Sequence, residues 1–259
     1  MLILSNAVVA QLVEHSHGKG EVSGSIPDNG SIFMQHSWER EYTNPTFISK
    51  DGKPQEDFLK FLKWVKKNRV RELEGSSILD AGCGTGRNAF YLVEKYDAKV
   101  EAFDFAKSAI SFAKENFSHP HICFSVHNMK DTLSYSDESF DFVFDIMASF
   151  SLSDGDREIY LQELHRVLKL DGLMYVRTLA KEGDKNAQFL IKNNPGDDPD
   201  TYIHPTLLSQ EKVFSGPSFK EVYEKYFEVV FMERKSGYQK FDGQPYKRNY
   251  WNVYLRKNV

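Results

Sequence analysis

The residues whose types and spacing could do chemistry gather in one stretch: Asp80, then Gly82, Gly84 and Gly86 at alternate positions, then Arg87. Glycine at those places lets a ligand approach the backbone and lets the chain take positive φ without strain. A helix starting just beyond would turn its unpaired N–H groups toward whatever lies over the turn. A second acid, Asp104, lies 18 residues past Gly86, the distance that one helix and one strand consume in a βαβ unit. A carboxylate there can accept hydrogen bonds from both hydroxyls of a ribose, so the two motifs together read as an adenosine site. The dinucleotide fingerprint G-x-G-x-x-G is a different pattern, because it wants its third glycine at position 87, where this chain has Arg87.

Positioning these residues takes strands that deliver them to one edge of a sheet. Residues 77–81 are an apolar run too short for a helix, and Phe90, Tyr91 and Val93 begin a helical pattern behind the glycines. Residues 98–104 alternate as a strand, residues 108–116 read as a helix, and residues 121–126 form a third strand running into Asn128 and Met129. Residues 142–145 continue an apolar run suited to a strand buried on both faces. Residues 157–168 read as a helix stopped by Gly172, and residues 173–178 make a fifth strand. This alternation predicts a mostly parallel sheet with helices on both faces. Ahead of it, residues 55–70 carry Phe58, Leu59, Phe61, Leu62 and Val65 on one helical face. Behind it, residues 180–210 lack a regular pattern, as functional or mobile segments often do. Residues 218–227 read as a helix. Residues 228–234 and 250–256 read as two antiparallel edge strands, joined by a protruding solvated hairpin with an Asp242-Gly243 turn.

The strand acid two residues before a G-x-G-x-G turn resembles the first motif of the class I S-adenosylmethionine-dependent methyltransferases, and further correspondences follow in order across residues 77–147. The resemblance implies an α/β, Rossmann-like class I methyltransferase fold with a mostly parallel seven-stranded sheet, and S-adenosyl-L-methionine as cofactor. It implies that Asp80 lies near the methionine ammonium, with Gly82, Cys83, Gly84 and Gly86 as the floor beneath the cofactor. Asp104 would take the ribose with Phe105 beside it, Asn128 and Met129 the adenine, and Asp145 would end the central strand where the methyl group is presented. The family more commonly has Asp at the position of Asn128. Members that methylate an exocyclic amine or a glutamine commonly carry an N/D-P-P-Y/F clamp after that strand, and those that attack a pyrimidine carbon need a Pro-Cys nucleophile. Residues 145–150 contain neither, so an oxygen or nitrogen nucleophile on a small molecule is the expected acceptor. Many similar enzymes close their pocket with an N-terminal segment, which makes Trp38 and Tyr42 lid candidates. No catalytic residue is implied, and Tyr202, His204 and Asp145 are the groups best able to position an acceptor or remove its proton.

The 259 residues and net charge of −4 leave room for one decorated α/β domain, with no basic excess that would call for nucleic acid or an anionic membrane as a partner. No run approaches the roughly 18 apolar residues of a membrane span. Cys83 and Cys123 have no C-x-x-C partner, which fits a reduced, cytoplasmic compartment and gives no zinc signature. His119, His121 and Cys123 alternate, but a solvated strand entrance explains them as well as metal binding does. The expected division is a leader over residues 1–33 and a methyltransferase domain over 34–259. The domain comprises a lid and helix (34–75), a cofactor core (76–179), a substrate-side insertion (180–215) and a C-terminal helix with edge strands (216–259). Stretches 9–14 and 24–27 look like a transfer-RNA gene read as protein, so the leader is expected to derive from upstream DNA, with translation starting at Met34. Its Gly, Ser and Pro content also suits a disordered leader. Two other functions stand beside the main reading. One is an NAD(P)-dependent oxidoreductase, which Asp104 fits and Asp80 and Gly86 do not. The other is a non-catalytic S-adenosylmethionine-binding or scaffold protein.

Overall fold

The computed structural model describes residues 29–45, 52–241 and 244–258. Most of the leader and the turn at 242–243 therefore lie outside the described residues. Helix α1 (Asn29–Thr43) begins ahead of Met34. Helix α2 (Glu56–Asn68) buries Phe58, Phe61, Leu62 and Val65, the stripe read from sequence. Acids in its first turn and lysines in its last complement the helix dipole, and Arg69 closes it at a φ of 50°.

Strand and helix then alternate through β1 (Ser77–Ala81), α3 (Arg87–Tyr96), β2 (Lys99–Asp104), α4 (Lys107–Asn116), β3 (Ile122–Val126) and β4 (Phe140–Ile146). A short 3-10 turn (Ser149–Ser151) leads into α5 (Asp154–Val167) and β5 (Leu168–Leu179). The C-terminal part comprises α6 (Lys185–Asn193), β6 (Thr201–Ile203), β7 (Gln210–Lys212), α7 (Gly216–Tyr223), β8 (Phe227–Phe241) and β9 (Gln244–Lys257).

Seven strands form one Rossmann-like sheet in the order β3-β2-β1-β4-β5-β9-β8. The first five are parallel, and β9 runs antiparallel to both β5 and β8. The order reverses between β1 and β4, so a crevice opens at their carboxyl ends. Registers Asp80↔Ala102, Ala81↔Asp145 and Asp104↔Val126 bring Asp80, Asp104 and Asp145 to that edge.

One face of the sheet packs Phe142, Phe144 and Tyr175 against Phe58 and Phe61, with Phe61 stacked on Tyr175 at 5.1 Å and Phe58 edge-on to Phe144 at 5.0 Å. The other face buries Leu79, Val143, Met174 and Val176 under Tyr160, Leu161 and Leu164 of α5 and Phe219 and Tyr223 of α7. A third cluster joins Phe150, Leu179, Tyr202, Val213 and Tyr250, with Trp38 and Met147 against it.

Three segments differ from the sequence reading. Residues 180–210 hold a helix and a hairpin (β6 with β7) rather than an irregular stretch. Asp184 caps α6 by accepting the Ala187 N–H at 2.8 Å. Phe189, Leu190 and Ile191 sit side by side with Phe189 exposed, which hides the helical period. Gly172 does not stop α5, because β5 already begins at Leu168 and pairs with Phe140, and residues 169–172 bulge out before pairing resumes at Phe142↔Leu173. Strands β8 and β9 are far longer than the apolar alternation suggested, since the added part of β9 buries Arg248 and Asn249 by pairing them with Asp184, Tyr202, Glu182 and Ser236 rather than by replacing them with apolar residues.

Candidate cofactor and acceptor site

The turn between β1 and α3 carries the site. Gly82, Gly84 and Gly86 take φ values of 72°, 55° and 80°, the left-handed region that favours glycine. A side chain at Gly82 would collide with the Ala148 methyl and lie 2.7 Å from Met129 Cε, so the segments after β3 and β4 close directly on this turn. A side chain at Gly84 would come 2.8 Å from the Tyr42 hydroxyl. Gly86 does different work: its open side faces the Phe124 ring (2.7 Å) and Ala113 (3.0 Å), so it packs α3 against α4 and β3 instead of flooring a ligand.

Asp80, the last residue but one of β1, is 2% exposed, and its Oδ2 meets no hydrogen-bond partner. Burial, with the charges of Asp104 and Asp145, pushes its carboxyl up to about 7 against the opposing charge of Arg87. Asp104 accepts Gly84 N–H (3.0 Å) on Oδ2 and Ala106 N–H (2.9 Å) on Oδ1. Burial lifts it to about 6, with the Ala106 and Gly84 bonds resisting. The Phe105 N–H adds a third backbone donor, which leaves the carboxylate short of its full acceptor capacity. Burial also drives the Cys83 thiol well above its usual range, with Asp80 and Asp104 adding to the effect, which leaves it an uncharged element of the turn. Asn128 Oδ1 accepts the Lys130 N–H at 3.1 Å, which fixes its amide at the end of β3 beside half-buried Met129. Phe105 follows Asp104, partly exposed, at the start of the loop to α4.

Asp145 lies on the α5 side of β4. Its Oδ1 accepts the Ser149 N–H at 3.1 Å, while its Oδ2 and the Tyr160 hydroxyl are buried without partners. Burial raises it, with the bonds from Ser149 and the charge of Arg157 opposing. Arg157, 1% exposed, donates to the Ser149 carbonyl at 2.5 Å and the Leu152 carbonyl at 2.7 Å. Together these groups hold the turn after β4, in which Met147 takes a φ of 58°.

Helix α1 lies across both halves of the site. Glu39 accepts Lys107 N–H (2.7 Å) and Ser108 N–H (2.9 Å) at the first turn of α4, and Arg40 donates to the Thr206 carbonyl at 3.2 Å. Trp38 and Tyr42, the lid candidates, stand 6.1 Å apart, Tyr42 over Gly84 and Trp38 against the Tyr202 and Tyr250 cluster.

Tyr202 and His204 have other duties than taking a proton from an acceptor. Tyr202, fully buried, donates to Glu211 Oε2 at 2.5 Å and accepts from Arg248 Nη2 at 2.6 Å. Burial and the charge of Glu211 raise its phenol well above the usual range, despite Arg248. His204 Nδ1 accepts Thr206 N–H (3.2 Å) and Leu207 N–H (3.1 Å), so its proton sits on Nε2, and burial lowers its pKa. It is a turn residue. Glu39, Arg157, Arg177 and Arg248 were not singled out in the sequence. A charged residue inside the apolar fifth strand, Arg177, was the one signal that could have flagged any of them.

The residues fit an S-adenosyl ligand. A buried carboxylate oxygen without a donor is costly unless a cation faces it, and Asp104 beside it is an acceptor suited to a hydroxyl. Fold and site thus define an adenosine-cofactor domain of the doubly wound α/β class. Residues 78–172 match the family model described as a methyltransferase domain. O-methyltransferase 3 of Dictyostelium discoideum is 24% identical over 216 residues, covering 76% of this chain and 48% of that protein. Phosphoethanolamine N-methyltransferase 1 of Arabidopsis thaliana is 38% identical over 84 residues, 32% of this chain and 16% of that one. Among solved structures, the Burkholderia thailandensis 1,6-didemethyltoxoflavin-N1-methyltransferase with bound 1,6-didemethyltoxoflavin and S-adenosylhomocysteine superposes with a TM-score of 0.64 at 16% identity, covering 93% of this chain and 94% of that one. The chain spans about half the length, or less, of these two curated relatives. Its fold is that of the class I S-adenosylmethionine-dependent methyltransferases, and residues 78–172 carry the match to a methyltransferase domain.

Proposed function

We propose that the chain transfers the methyl group of S-adenosylmethionine to an oxygen or nitrogen nucleophile of a small molecule, in the cytoplasm. The observation that carries this is the buried, unpartnered Asp80 Oδ2 at the glycine turn, with Asp104 in reach of the same ligand from β2. The curated relatives named above are called O- and N-methyltransferases, and the segment after β4 has no proline clamp for a base or a glutamine. Both cysteines are free, and no helix among the described residues is long and apolar enough to cross a membrane.

When bound, the cofactor supplies a methyl carbon made electrophilic by its sulfonium. The protein's part is to orient and to exclude water. Asp80 would hold the amino group, Asp104 the ribose, and Asn128, Met129 and Phe105 the adenine. The turn after β4, fixed by Asp145 and Arg157, would set the line of approach to the methyl carbon. Trp38 and Tyr42 would cover the site, and residues 180–215 would enclose the acceptor. Calorimetric titration of the full chain with S-adenosylhomocysteine tests this. Micromolar or tighter binding that disappears in Asp104→Ala is expected, whereas a folded protein giving neither heat nor thermal stabilisation refutes it.

A further inference from the structure

Arg177 stands at the carboxyl end of β5, against the last residues of the central strand. It pairs with Ile146, and its carbonyl accepts the Met147 N–H at 2.8 Å. Its guanidinium carbon lies 3.9 Å from the centre of the Tyr250 ring, and its side chain is only 17% exposed. The nearest acid is Asp57, 3.5 Å from Nε, and that carboxylate is shared with Lys60 at 3.1 Å. Among the described residues no carboxylate engages Nη1 or Nη2. A guanidinium is shaped to take a carboxylate on two parallel N–H bonds, and here its partner besides Asp57 is the Tyr250 side chain, which leaves no carboxylate on the Nη edge. Tyr250 belongs to the same cluster as Phe150, Leu179, Trp38 and Met147. The surroundings of the methyl position are therefore aromatic and apolar, with one incompletely neutralised cation at their edge.

We propose that Arg177 binds the carboxylate of the methyl acceptor while the Trp38, Phe150 and Tyr250 cluster takes its apolar body, so that the acceptor class is a small aromatic acid. This rests on the methyltransferase reading and deepens it. Arg177 binds substrate here and takes no part in proton transfer.

The full-length protein, saturated with S-adenosylhomocysteine, is titrated calorimetrically with benzoate and benzamide, phenylacetate and phenylacetamide, and indole-3-acetate and indole-3-acetamide. The titrations are repeated in Arg177→Met and Arg177→Lys. At least one acid should bind tenfold or more tighter than its amide. That preference should vanish in Arg177→Met and survive in part in Arg177→Lys, with S-adenosylhomocysteine affinity within threefold of the parent in both. Failure of every acid to bind, equal affinity within every pair, or a preference that persists in Arg177→Met overturns the proposal. A tenfold loss of S-adenosylhomocysteine affinity in Arg177→Met overturns it too, by assigning the guanidinium to the cofactor's own carboxylate. Failure of the unaltered protein to bind S-adenosylhomocysteine is a separate result, which removes the methyltransferase reading itself.

Discussion

The two halves of the site handle buried charge in opposite ways. At the edge of β1 and β2, Asp80 keeps an oxygen without a donor, and Asp104 is held by backbone N–H groups alone. Where β9 meets the insertion, Arg248 lies 3.2 Å from Asp184 Oδ2 and 3.8 Å from Glu211 Oε2 and donates to Tyr202, with all four residues buried. Asp184 also accepts the backbone N–H groups of Ala187 and Asn249. A buried charge left unpaired is unfavourable and marks a place where a ligand completes the site. A network of opposite charges instead ties β9 to the helix and hairpin of the insertion, although Arg248 Nε makes no hydrogen bond. On the function proposed above, the first arrangement serves recognition and the second architecture.

Removing Arg248 should show the largest effect. Arg248→Ala strands Asp184 and Glu211 in the interior and should cost about 3–5 kcal/mol of stability, a fall in melting temperature on the order of 10 °C. S-adenosylhomocysteine affinity of the folded fraction should stay within threefold. Lost affinity with an unchanged melting temperature would reverse the assignment of the two halves.

Asp80→Asn should act with the opposite sign. The folded pKa of about 7 lies above an unfolded value of about 3.9. The native state therefore binds more protons than the unfolded one between those values, and the ligand-free protein loses stability as pH rises from about 4 to about 7. At pH 8 Asp80→Asn should melt higher than the parent yet bind S-adenosylhomocysteine about 10- to 100-fold more weakly, a loss of roughly 1.4–2.8 kcal/mol. In the parent, binding at pH 6.5 should release a proton from Asp80, read as a dependence of the binding heat on buffer ionisation enthalpy. A variant that melts lower at pH 8, or binding heats independent of buffer, would show that Asp80 is satisfied within the protein.

The cofactor half was legible in the sequence because helix and strand lengths convert spacing into position. Eighteen residues from Gly86 must return the chain to the same sheet edge, and Asp104 is there. The role of Gly86 was not legible, since the Phe124 ring that fills its open side arrives from a strand two positions across the sheet. The insertion was unreadable for a related reason. Arg248 meets Tyr202 across 46 residues of chain and Asp184 meets Asn249 across 65, and no local period reports such a pairing. Where buried residues are polar, apolar alternation fails as a signal, so β8 and β9 were cut short at their charged halves. Asp184 as a cap three residues before Ala187 was the one local clue to α6.

Glu39 offers the smallest and most discriminating perturbation, because α1 touches both halves. Its carboxylate caps α4 from outside that helix, an interaction worth about 1 kcal/mol. Burial pushes its pKa up, but the bonds from Ser108 and Lys107 outweigh this and hold it below the usual carboxylate range. Its contribution is therefore complete at neutral pH and is lost as pH falls through the folded pKa. Glu39→Ala should lower the melting temperature by about 2–4 °C at pH 7, with the difference from the parent shrinking in acid. If α1 is a lid, releasing it from α4 should also free Tyr42 from Gly84 and Trp38 from the Tyr250 cluster. S-adenosylhomocysteine affinity should then drop about three- to fivefold, near 1 kcal/mol, with a red shift of tryptophan emission. A melting shift with neither change would make α1 a structural strap, and the cofactor edge would stand open without it. A loss of affinity as large as that in Asp80→Asn would make Glu39 part of cofactor recognition itself. The ratio of the two affinity losses thus measures how much of the binding energy comes from the buried carboxylate and how much from the cover.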